Sequence, residues 1–270
     1  MQTLKAIIFD VDGTLANTEE THRQSFNKAF EEFNLNFNWS ESDYAGLLSI
    51  SGGRERLYCF LKNNRDNIRG DINLRDYTRK MHQRKSEIYR EKLVAGHIGL
   101  RTGVLRLITE ARQRGIKLAI ATSSSMVNVE TLLKNNLGED ALSDFEVIVT
   151  SDVVQDKKPS PAAYQFALAE LGLEPEHCIA IEDTTNGNRA ALAAGVKTVI
   201  TTHEFTVDND FEGASLIVDQ LGEPDIPYRA ISGQIDNYRY VDVDLLEAIL
   251  SDAAIKNNEG WSEQGVSMAK

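Results

Sequence analysis

The chain has 270 residues, of which 41% are hydrophobic and 26% are charged, proportions that are ordinary for a globular enzyme. Its formal net charge of -12 at pH 7 argues against nucleic acid or an anionic membrane as the general partner, because both would repel it. An anionic substrate would therefore need a local positive site.

The placement of the cysteines and the lack of a recognisable targeting segment indicate a reducing compartment. No apolar run approaches the ~20 residues that a transmembrane helix needs. The first apolar run begins within a few residues of Met1, which leaves no room for a signal peptide. Cys59 and Cys178 lie far apart, without a CxxC motif or a Cys/His cluster. We expect a cytoplasmic monomer, or a protein of the plastid stroma if a transit peptide has been removed.

The first element is a short buried strand that ends in two carboxylates. In "FDVDGTL", residues 9–15, Asp10 and Asp12 flank one valine and run into Gly13. Two like charges at such a position repel each other. A positive group or ion is therefore expected beside them.

Residues 17–90 read as helical. The stretch "TEETHRQSFNKAFEEFNL" places Phe26, Phe30 and Phe33 on one helical face, and "LRDYTRKMHQRKSEIYREKL" forms a second amphipathic helix. This block separates the first strand from its successor. It therefore predicts a helical cap domain inserted into another domain.

From about residue 100 to 220, short apolar runs alternate with amphipathic helices. Six runs read as buried strands: "KAIIFD", "IKLAIATS", "FEVIVTS", "CIAIED", "KTVITT" and "SLIVDQ". The alternation predicts an α/β protein with a Rossmann-like, doubly wound parallel sheet. We expect a discontinuous core domain of residues 1–16 and 91–250, a cap of residues 17–90, and a flexible polar tail of residues 251–270.

Polar residues at the predicted strand ends point to phosphoryl chemistry, because ligands bind at this edge of such sheets. Asp10 is ionised at neutral pH and can act as a nucleophile, while Asp12 can serve as acid and base. Mg²⁺, which prefers carboxylate oxygens, would be held by Asp10 with Asp183.

Two further segments supply groups for a phosphate. Lys158, in "KKPSP", can hold a phosphate oxygen, whereas Lys157 is expected to be the more solvated of the two lysines. The Thr122 hydroxyl and the Ser123 N–H lie at a strand-to-helix junction, where an anion is favoured.

The motifs "FDVDGTL", "ATSS", "KKPSP" and "IEDTTNG", in this order, resemble those of the haloacid dehalogenase superfamily, in its phosphatase and phosphomutase branch. The resemblance implies a catalytic set of Asp10, Asp12 and Lys158, with Asp10, Asp12, Asp183 and Glu182 around the metal. Glu182 can equally be a group that orients metal-bound water or a simple charge at a strand end.

The cap resembles that of CbbY-like sugar bisphosphate phosphatases, through "NTEETH", "SGGRERL" and "MHQRKSEIY". The resemblance covers residues 4–250 and implies Glu19, His22, Arg54 and Lys85 as substrate contacts. The alternative role of His22 is that of a half-buried packing residue. The alternative role of Arg54 is that of a purely structural residue in a turn. Where the family often has an aspartate, this sequence has Asn17.

These observations predict a Mg²⁺-dependent phosphatase with a phosphoaspartyl intermediate and a small anionic sugar phosphate as substrate. The resemblance favours xylulose 1,5-bisphosphate, an inhibitory by-product of Rubisco, with xylulose 5-phosphate and phosphate as products. A phosphomutase like β-phosphoglucomutase shares every core motif and remains an alternative. A non-catalytic phosphosugar-binding regulator is a second alternative, against which the intact set Asp10, Asp12, Lys158 and Asp183 argues.

Overall fold

The computed structural model describes residues 3–68, 70–96, 98–233 and 237–251. Its centre is a twisted sheet with the strand order β3-β2-β1-β4-β5-β6-β7, parallel except for β7. The strands are β1 (Ala6–Phe9), β2 (Lys117–Ala121), β3 (Val147–Val149), β4 (Cys178–Glu182), β5 (Lys197–Thr201), β6 (Leu216–Val218) and β7 (Ala230–Ser232). The predicted α/β class and Rossmann-like parallel sheet are confirmed.

The six predicted strands are all present, and β7 is an addition. Its three residues are half-buried or exposed, so they carry none of the apolar signal of a buried strand. The central strand β1 lies between β2 and β4, and Phe9 is paired with both Ile120 and Ile181. The residues that follow these three strands therefore leave the sheet side by side.

Helices cover both faces of the sheet. One face packs on α5, α6 and α9, and the other on α7 and α8. The helices are α1 (Glu19–Glu32), α2 (Glu41–Leu47), α3 (Gly53–Asn63), α4 (Leu74–Val94), α5 (Val104–Gln113), α6 (Met126–Leu137), α7 (Ala162–Leu171), α8 (Thr185–Ala193) and α9 (Val243–Leu250), with short 3₁₀ helices at Arg65–Asn67, Ala141–Asp144 and Pro175–His177. Helices α1 to α3 fall within the predicted inserted block, and α4 begins in it and extends past its end.

The cap has a hydrophobic core of its own, rich in aromatic rings. Phe26, Phe30, Trp39 and Tyr44 are buried there. Trp39 packs edge-on against Phe30 with ring centres 5.0 Å apart, an arrangement that aromatic pairs favour. The cap thus has a core separate from the two faces of the sheet, and Phe205 from the loop after β5 packs into it.

The predicted cap boundary after residue 90 falls inside α4 and is therefore corrected. The helix continues to Val94 because Tyr89 and Leu93 bury against the core cluster below the cap. The two cap connections then meet: Ala16 forms a bridge with Leu100. The second connection accordingly spans residues 95–100.

The ends of the chain complete the description. Ser251 follows α9, and residues 252–270 of the predicted polar tail lie outside the described residues. Within the described part, no helix is both long and apolar enough to cross a membrane.

Candidate active site

A cavity of about 220 Å³ lies between the cap and the carboxyl ends of the strands. Its walls contain ten of the eleven predicted site residues: Asp10, Asp12, Glu19, His22, Arg54, Lys85, Thr122, Ser123, Lys158 and Asp183. Glu182 lies behind the wall and is fully buried. The fold therefore brings together in one site residues that are up to 173 positions apart in sequence.

Lys158 connects two carboxylates on the core side. Its Nζ lies 2.6 Å from Asp10 Oδ1 and also donates to Glu182 Oε1. The Tyr164 hydroxyl donates to the same Glu182 oxygen at 2.6 Å. Burial alone lowers the pKa of Lys158, but the two carboxylates outweigh it and raise that pKa above its ordinary value. Lys158 is therefore a fixed positive charge, and Glu182 is an internal partner of it.

Asp10, Glu182 and Asp183 form a buried acidic cluster in which one carboxylate oxygen from each residue lies within 4.8 Å of the other two. Burial and the two neighbouring carboxylates raise the pKa of Asp10, while Lys158 opposes them. One lysine leaves three carboxylates under-compensated. The donor set, buried and composed of oxygen, fits a hard divalent cation such as Mg²⁺.

Asp12 was also predicted to bind the metal, and its side chain does not join this cluster. It accepts hydrogen bonds from Thr18 Oγ1 at 2.7 Å, from His22 Nε2 at 3.2 Å and from Ser124 Oγ. Burial tends to raise the pKa of Asp12, but His22 and these hydrogen bonds lower it below its ordinary value. The reason is local: Asp12 lies beyond the end of β1, where the backbone bridges to Ala16 and no longer alternates as a strand.

A hydrogen-bonded chain from the cap ends on Asp12. The buried Lys85 Nζ lies 2.5 Å from His22 Nδ1, so the His22 proton is on Nε2 and points at Asp12 Oδ1. The His22 ring stacks on Tyr89 at 3.9 Å. Burial lowers the pKa of Lys85 to about 7, and burial together with Lys85 lowers that of His22. His22 therefore contacts Asp12, the predicted acid and base, in addition to packing on Tyr89.

The remaining cap candidates differ in exposure. Glu19 is buried and accepts a hydrogen bond from the Tyr44 hydroxyl at 2.7 Å, and Arg56 Nη1 donates to that hydroxyl at 2.8 Å. The Arg54 side chain is 60% exposed and pairs with Glu55 at 3.1 Å. Arg56 also lines the cavity, and the sequence reasoning missed it although it lies in the same "SGGRERL" stretch.

Thr122 and Ser123 lie between β2 and α6. Ser125 is the N-cap of α6, and the Ser124 N–H donates to Thr122 Oγ1 at 3.1 Å. Ser125 and Asn128, at the start of this twelve-residue helix, line the cavity, and a helix N-terminus favours an anion. The Met126 N–H at this end already donates to Asp152 Oδ2 at 2.8 Å. The placement is suited to holding an anion beside Asp10.

Lys157 was expected to be the more solvated of the two lysines, and it is more exposed than Lys158, although only partly. Its side chain is 24% exposed and its Nζ lies 2.7 Å from Glu55 Oε2 on the cap. Glu55 lies 102 positions before Lys157 in the chain, so no local sequence pattern indicates this contact. The Lys157–Glu55 contact is an ion pair between cap and core at the rim of the cavity.

Comparison with known proteins places this geometry in a family. The sequence model of the haloacid dehalogenase-like hydrolase family matches residues 7–201 of this chain. The chain is 42% identical over 225 residues to the plasmid-encoded protein CbbY of Cupriavidus necator, covering 83% of this chain and 88% of that protein.

Solved structures of other proteins are also similar to this chain. A mutant of CbbY from Rhodobacter sphaeroides in complex with xylulose-(1,5)bisphosphate is 39% identical, with a TM-score of 0.73, over 81% of this chain and 95% of that one. A putative β-phosphoglucomutase from Thermotoga maritima superimposes with a TM-score of 0.59 over 93% of this chain and 98% of that one. At 23% identity, that second likeness shows a shared fold alone.

Proposed function

Because the chain belongs to the haloacid dehalogenase-like hydrolases and is a phosphatase of that family, we propose that it hydrolyses a sugar phosphate with Mg²⁺ and a phosphoaspartyl intermediate on Asp10. The observation that carries the proposal is the separation of the two aspartates. Asp10 lies in the acidic cluster with Lys158 on Oδ1, whereas Asp12 is held by Thr18, His22 and Ser124. One carboxylate is thus available to a metal and an electrophile, and the other to protons.

In the first half-reaction, Asp10 attacks the phosphoryl group while Asp12 protonates the leaving sugar oxygen. Mg²⁺, held by Asp10 and Asp183, would neutralise charge on the phosphoryl oxygens. Lys158 fixes the Asp10 carboxylate, and Thr122, Ser123 and the α6 N-terminus hold the transferred group. An arriving phosphoryl group raises the pKa of Asp12, because a second negative charge favours its neutral form.

In the second half-reaction, Asp12 takes a proton from water, which attacks the phosphoaspartate and releases phosphate. The Lys85–His22 pair holds Asp12 through the contact of His22 Nε2 with Asp12 Oδ1 at 3.2 Å. Asp12 can act first as the acid and then as the base because the second half-reaction returns to it the proton that the first removes.

For the substrate we propose a ketose bisphosphate, with xylulose 1,5-bisphosphate as the first candidate. The 39% identical CbbY mutant was solved with that compound, and this chain carries Arg54 and Arg56 on the cap wall of the cavity. On a chain of net charge -12, these cations are what a second phosphate would need. We assign it a metabolite-repair role in carbon fixation.

The test is a phosphate-release screen of the full chain over sugar monophosphates and bisphosphates with Mg²⁺. We expect the highest kcat/KM on xylulose 1,5-bisphosphate, loss of activity with EDTA, and recovery with Mg²⁺. Full activity in EDTA would contradict the metal, and preference for a monophosphate would contradict the bisphosphate.

A mutase is the second candidate function, because the same core groups could pass the phosphoryl group to a sugar hydroxyl. β-Glucose 1-phosphate with a bisphosphate primer distinguishes the two. We expect little glucose 6-phosphate. Its rapid formation without release of phosphate would show that the protein is a mutase.

A further inference from the structure

The loop after β5 contacts three functional parts of the molecule with three consecutive residues. His203 Nε2 lies 3.0 Å from Asp183 Oδ2 in the acidic cluster. Glu204 Oε1 accepts a hydrogen bond at 3.3 Å from Asn17, in the first cap connection. Phe205 packs into the aromatic core of the cap, with its ring 5.7 Å from that of Tyr44.

The hydrogen bonds define the proton on His203. The Phe205 N–H donates to His203 Nδ1 at 3.3 Å, so the ring proton lies on Nε2 and is donated to Asp183. Thr14 Oγ1 donates to the other oxygen of Asp183 at 3.1 Å. Both oxygens of this carboxylate are thus oriented by neutral donors, the arrangement that fixes metal ligands in proteins.

Close packing adds to the orientation. Gly13 has φ +87°, and a Cβ at that position would collide with both Asp183 Oδ2 and His203 Nε2. The glycine that follows Asp12 in "FDVDGTL" therefore lets the backbone lie against this pair. Within the described residues, the side chains of His203 and Asp183 are 3% and 1% exposed.

The same loop explains Asn17. An aspartate there, as the family often has, would face Glu204 with like charge, whereas the amide donates to it. From Phe205 the contacts continue through Tyr44 to Glu19 and Arg56, which line the cavity from above. The metal cluster and the cap wall are therefore connected by one short segment.

We propose that His203 is a positioning residue for Asp183, and that the segment 203–205 couples the docking of the cap to the affinity of the acidic cluster for Mg²⁺. The inference rests on the proposed function, since it takes the cluster to be the Mg²⁺ site. It assigns to a loop outside the four motifs the task of setting the geometry of a metal ligand. Docking of the cap core on Phe205 holds His203, and His203 holds Asp183.

The experiment is calorimetric titration of the full chain with MgCl₂ and no substrate. His203→Ala is expected to weaken Mg²⁺ binding by ~10- to 100-fold, the usual loss when such an outer partner is removed. His203→Gln, which can still donate a hydrogen bond, should recover part of the loss. His177→Ala, at a half-buried histidine that contacts Thr3 O, is the matched control and should bind like the wild type.

Coupling to the cap is tested with a pair of identical substitutions. Phe205→Leu is expected to weaken Mg²⁺ binding several-fold although it contacts no carboxylate. Phe60→Leu removes an aromatic ring from the same cap cluster, away from the loop, and should leave the affinity unchanged. Equal effects of the two would overturn the coupling.

Spectroscopy of the wild type keeps the proposal testable if a variant fails to fold. Long-range ¹H–¹⁵N spectra should show His203 protonated on Nε2, with signals that shift as Mg²⁺ saturates the site. Protonation on Nδ1 alone, or no shift at saturation, would overturn the inference. So would normal Mg²⁺ affinity in folded His203→Ala.

The outcome is separable from that of the proposed function. Mg²⁺ binding that depends on His203, in a protein inactive on sugar phosphates, would refute the substrate and support this inference. A wild-type chain that binds no Mg²⁺ would overturn both.

Discussion

Two buried lysines face each other across the cavity, and their pKa values move in opposite directions. Lys158, on the core side, is 6% exposed and lies between two carboxylates, which raise its pKa. Lys85, on the cap side, is 4% exposed and lies against a histidine and two aromatic rings, and burial lowers its pKa to about 7. A lysine therefore keeps its positive charge in the core wall, whereas in the cap wall a lysine exchanges its proton near neutral pH.

The difference shows that equal burial does not give equal chemistry. Desolvation acts against the charged form of both lysines, and only the partners decide which form prevails. In the proposed reaction, Lys158 in the core wall would hold its charge throughout the attack, whereas Lys85 in the cap wall would gain a proton when an anionic substrate arrives.

The largest expected effect concerns the core wall. Asp10→Asn keeps the shape of the side chain and removes the attacking carboxylate, so kcat should fall by at least ~10³-fold while the fold persists. Phosphate release by the purified variant is the measurement, with the exposed Asp208→Asn as the matched control. More than a tenth of wild-type activity, with the sequence verified and no deamidation, would remove Asp10 from this role.

The next effect separates two cations of the cap wall. Arg54→Ala should lower kcat/KM for a sugar bisphosphate by ~10- to 10³-fold, and by several-fold less for p-nitrophenyl phosphate, which has no distal phosphate. Lys85→Ala should lower kcat/KM on both substrates by similar factors, because Lys85 contacts His22 and acts through it on Asp12. Kinetics of both variants on both substrates are the measurement.

That second expectation departs from the sequence-based role of Lys85 as a ligand of the distal phosphate. A loss confined to the bisphosphate would restore that role. Equal losses for Arg54→Ala on both substrates would mean that Arg54 serves cap folding.

A third effect is on stability, and its sign follows from the lowered pKa of Lys85. Between about pH 7 and 10.5 the unfolded chain binds a proton at Lys85 that the folded chain does not, so stability should rise with pH in this window. The contribution is ~1.4 kcal/mol per pH unit when one proton is involved. Denaturant unfolding at several pH values should show this slope in the wild type and its loss in Lys85→Met.

Lys28→Met provides the comparison for that experiment, because Lys28 is a surface residue paired with Glu31. It should keep the slope of the wild type. An unchanged slope in Lys85→Met would mean that Lys85 keeps its charge in the folded protein.

The smallest effect concerns the ion pair that joins the two walls. Lys157 and Glu55 are partly exposed, and such pairs contribute ~0.2 to 1 kcal/mol. A double-mutant cycle with Lys157→Met and Glu55→Gln should give a coupling energy in that range, smaller at high salt. A coupling above ~2 kcal/mol would show that the pair is desolvated when the cap is docked.

The parts of the site that the sequence predicted are those that directly follow buried strands. Asp10, Thr122 and Asp183 come after β1, β2 and β4, and a parallel sheet brings such positions together whatever the rest of the chain does. The Asp12 side chain lies apart from the acidic cluster because it lies past the strand, where a turn redirects it, and its assignment to the metal stays a prediction.

Other contacts had no signal in the sequence. His203 and Tyr164 act through hydrogen bonds to Asp183 and Glu182, which lie 18 or more positions away, and neither belongs to a recognisable spacing. Arg56 is held within the cap by Leu47 O and the Tyr44 hydroxyl, and Lys157 is held across the cap–core contact by Glu55. Both contacts depend on tertiary packing. Long-range side-chain geometry, unlike strand order, is not fixed by local periodicity.

The bridge between Ala16 and Leu100 has a consequence for engineering. The cap leaves and re-enters the core at neighbouring backbone positions, and the Arg101 N–H donates to Leu15 O at 2.9 Å. Any insert whose own ends lie as close together could be joined there without stretching the sheet, and closing so short a gap costs little chain entropy. The backbone connections therefore permit exchange of the cap, whereas the contacts of His22 with Asp12 and of Tyr44 with Phe205 would have to be rebuilt in any replacement.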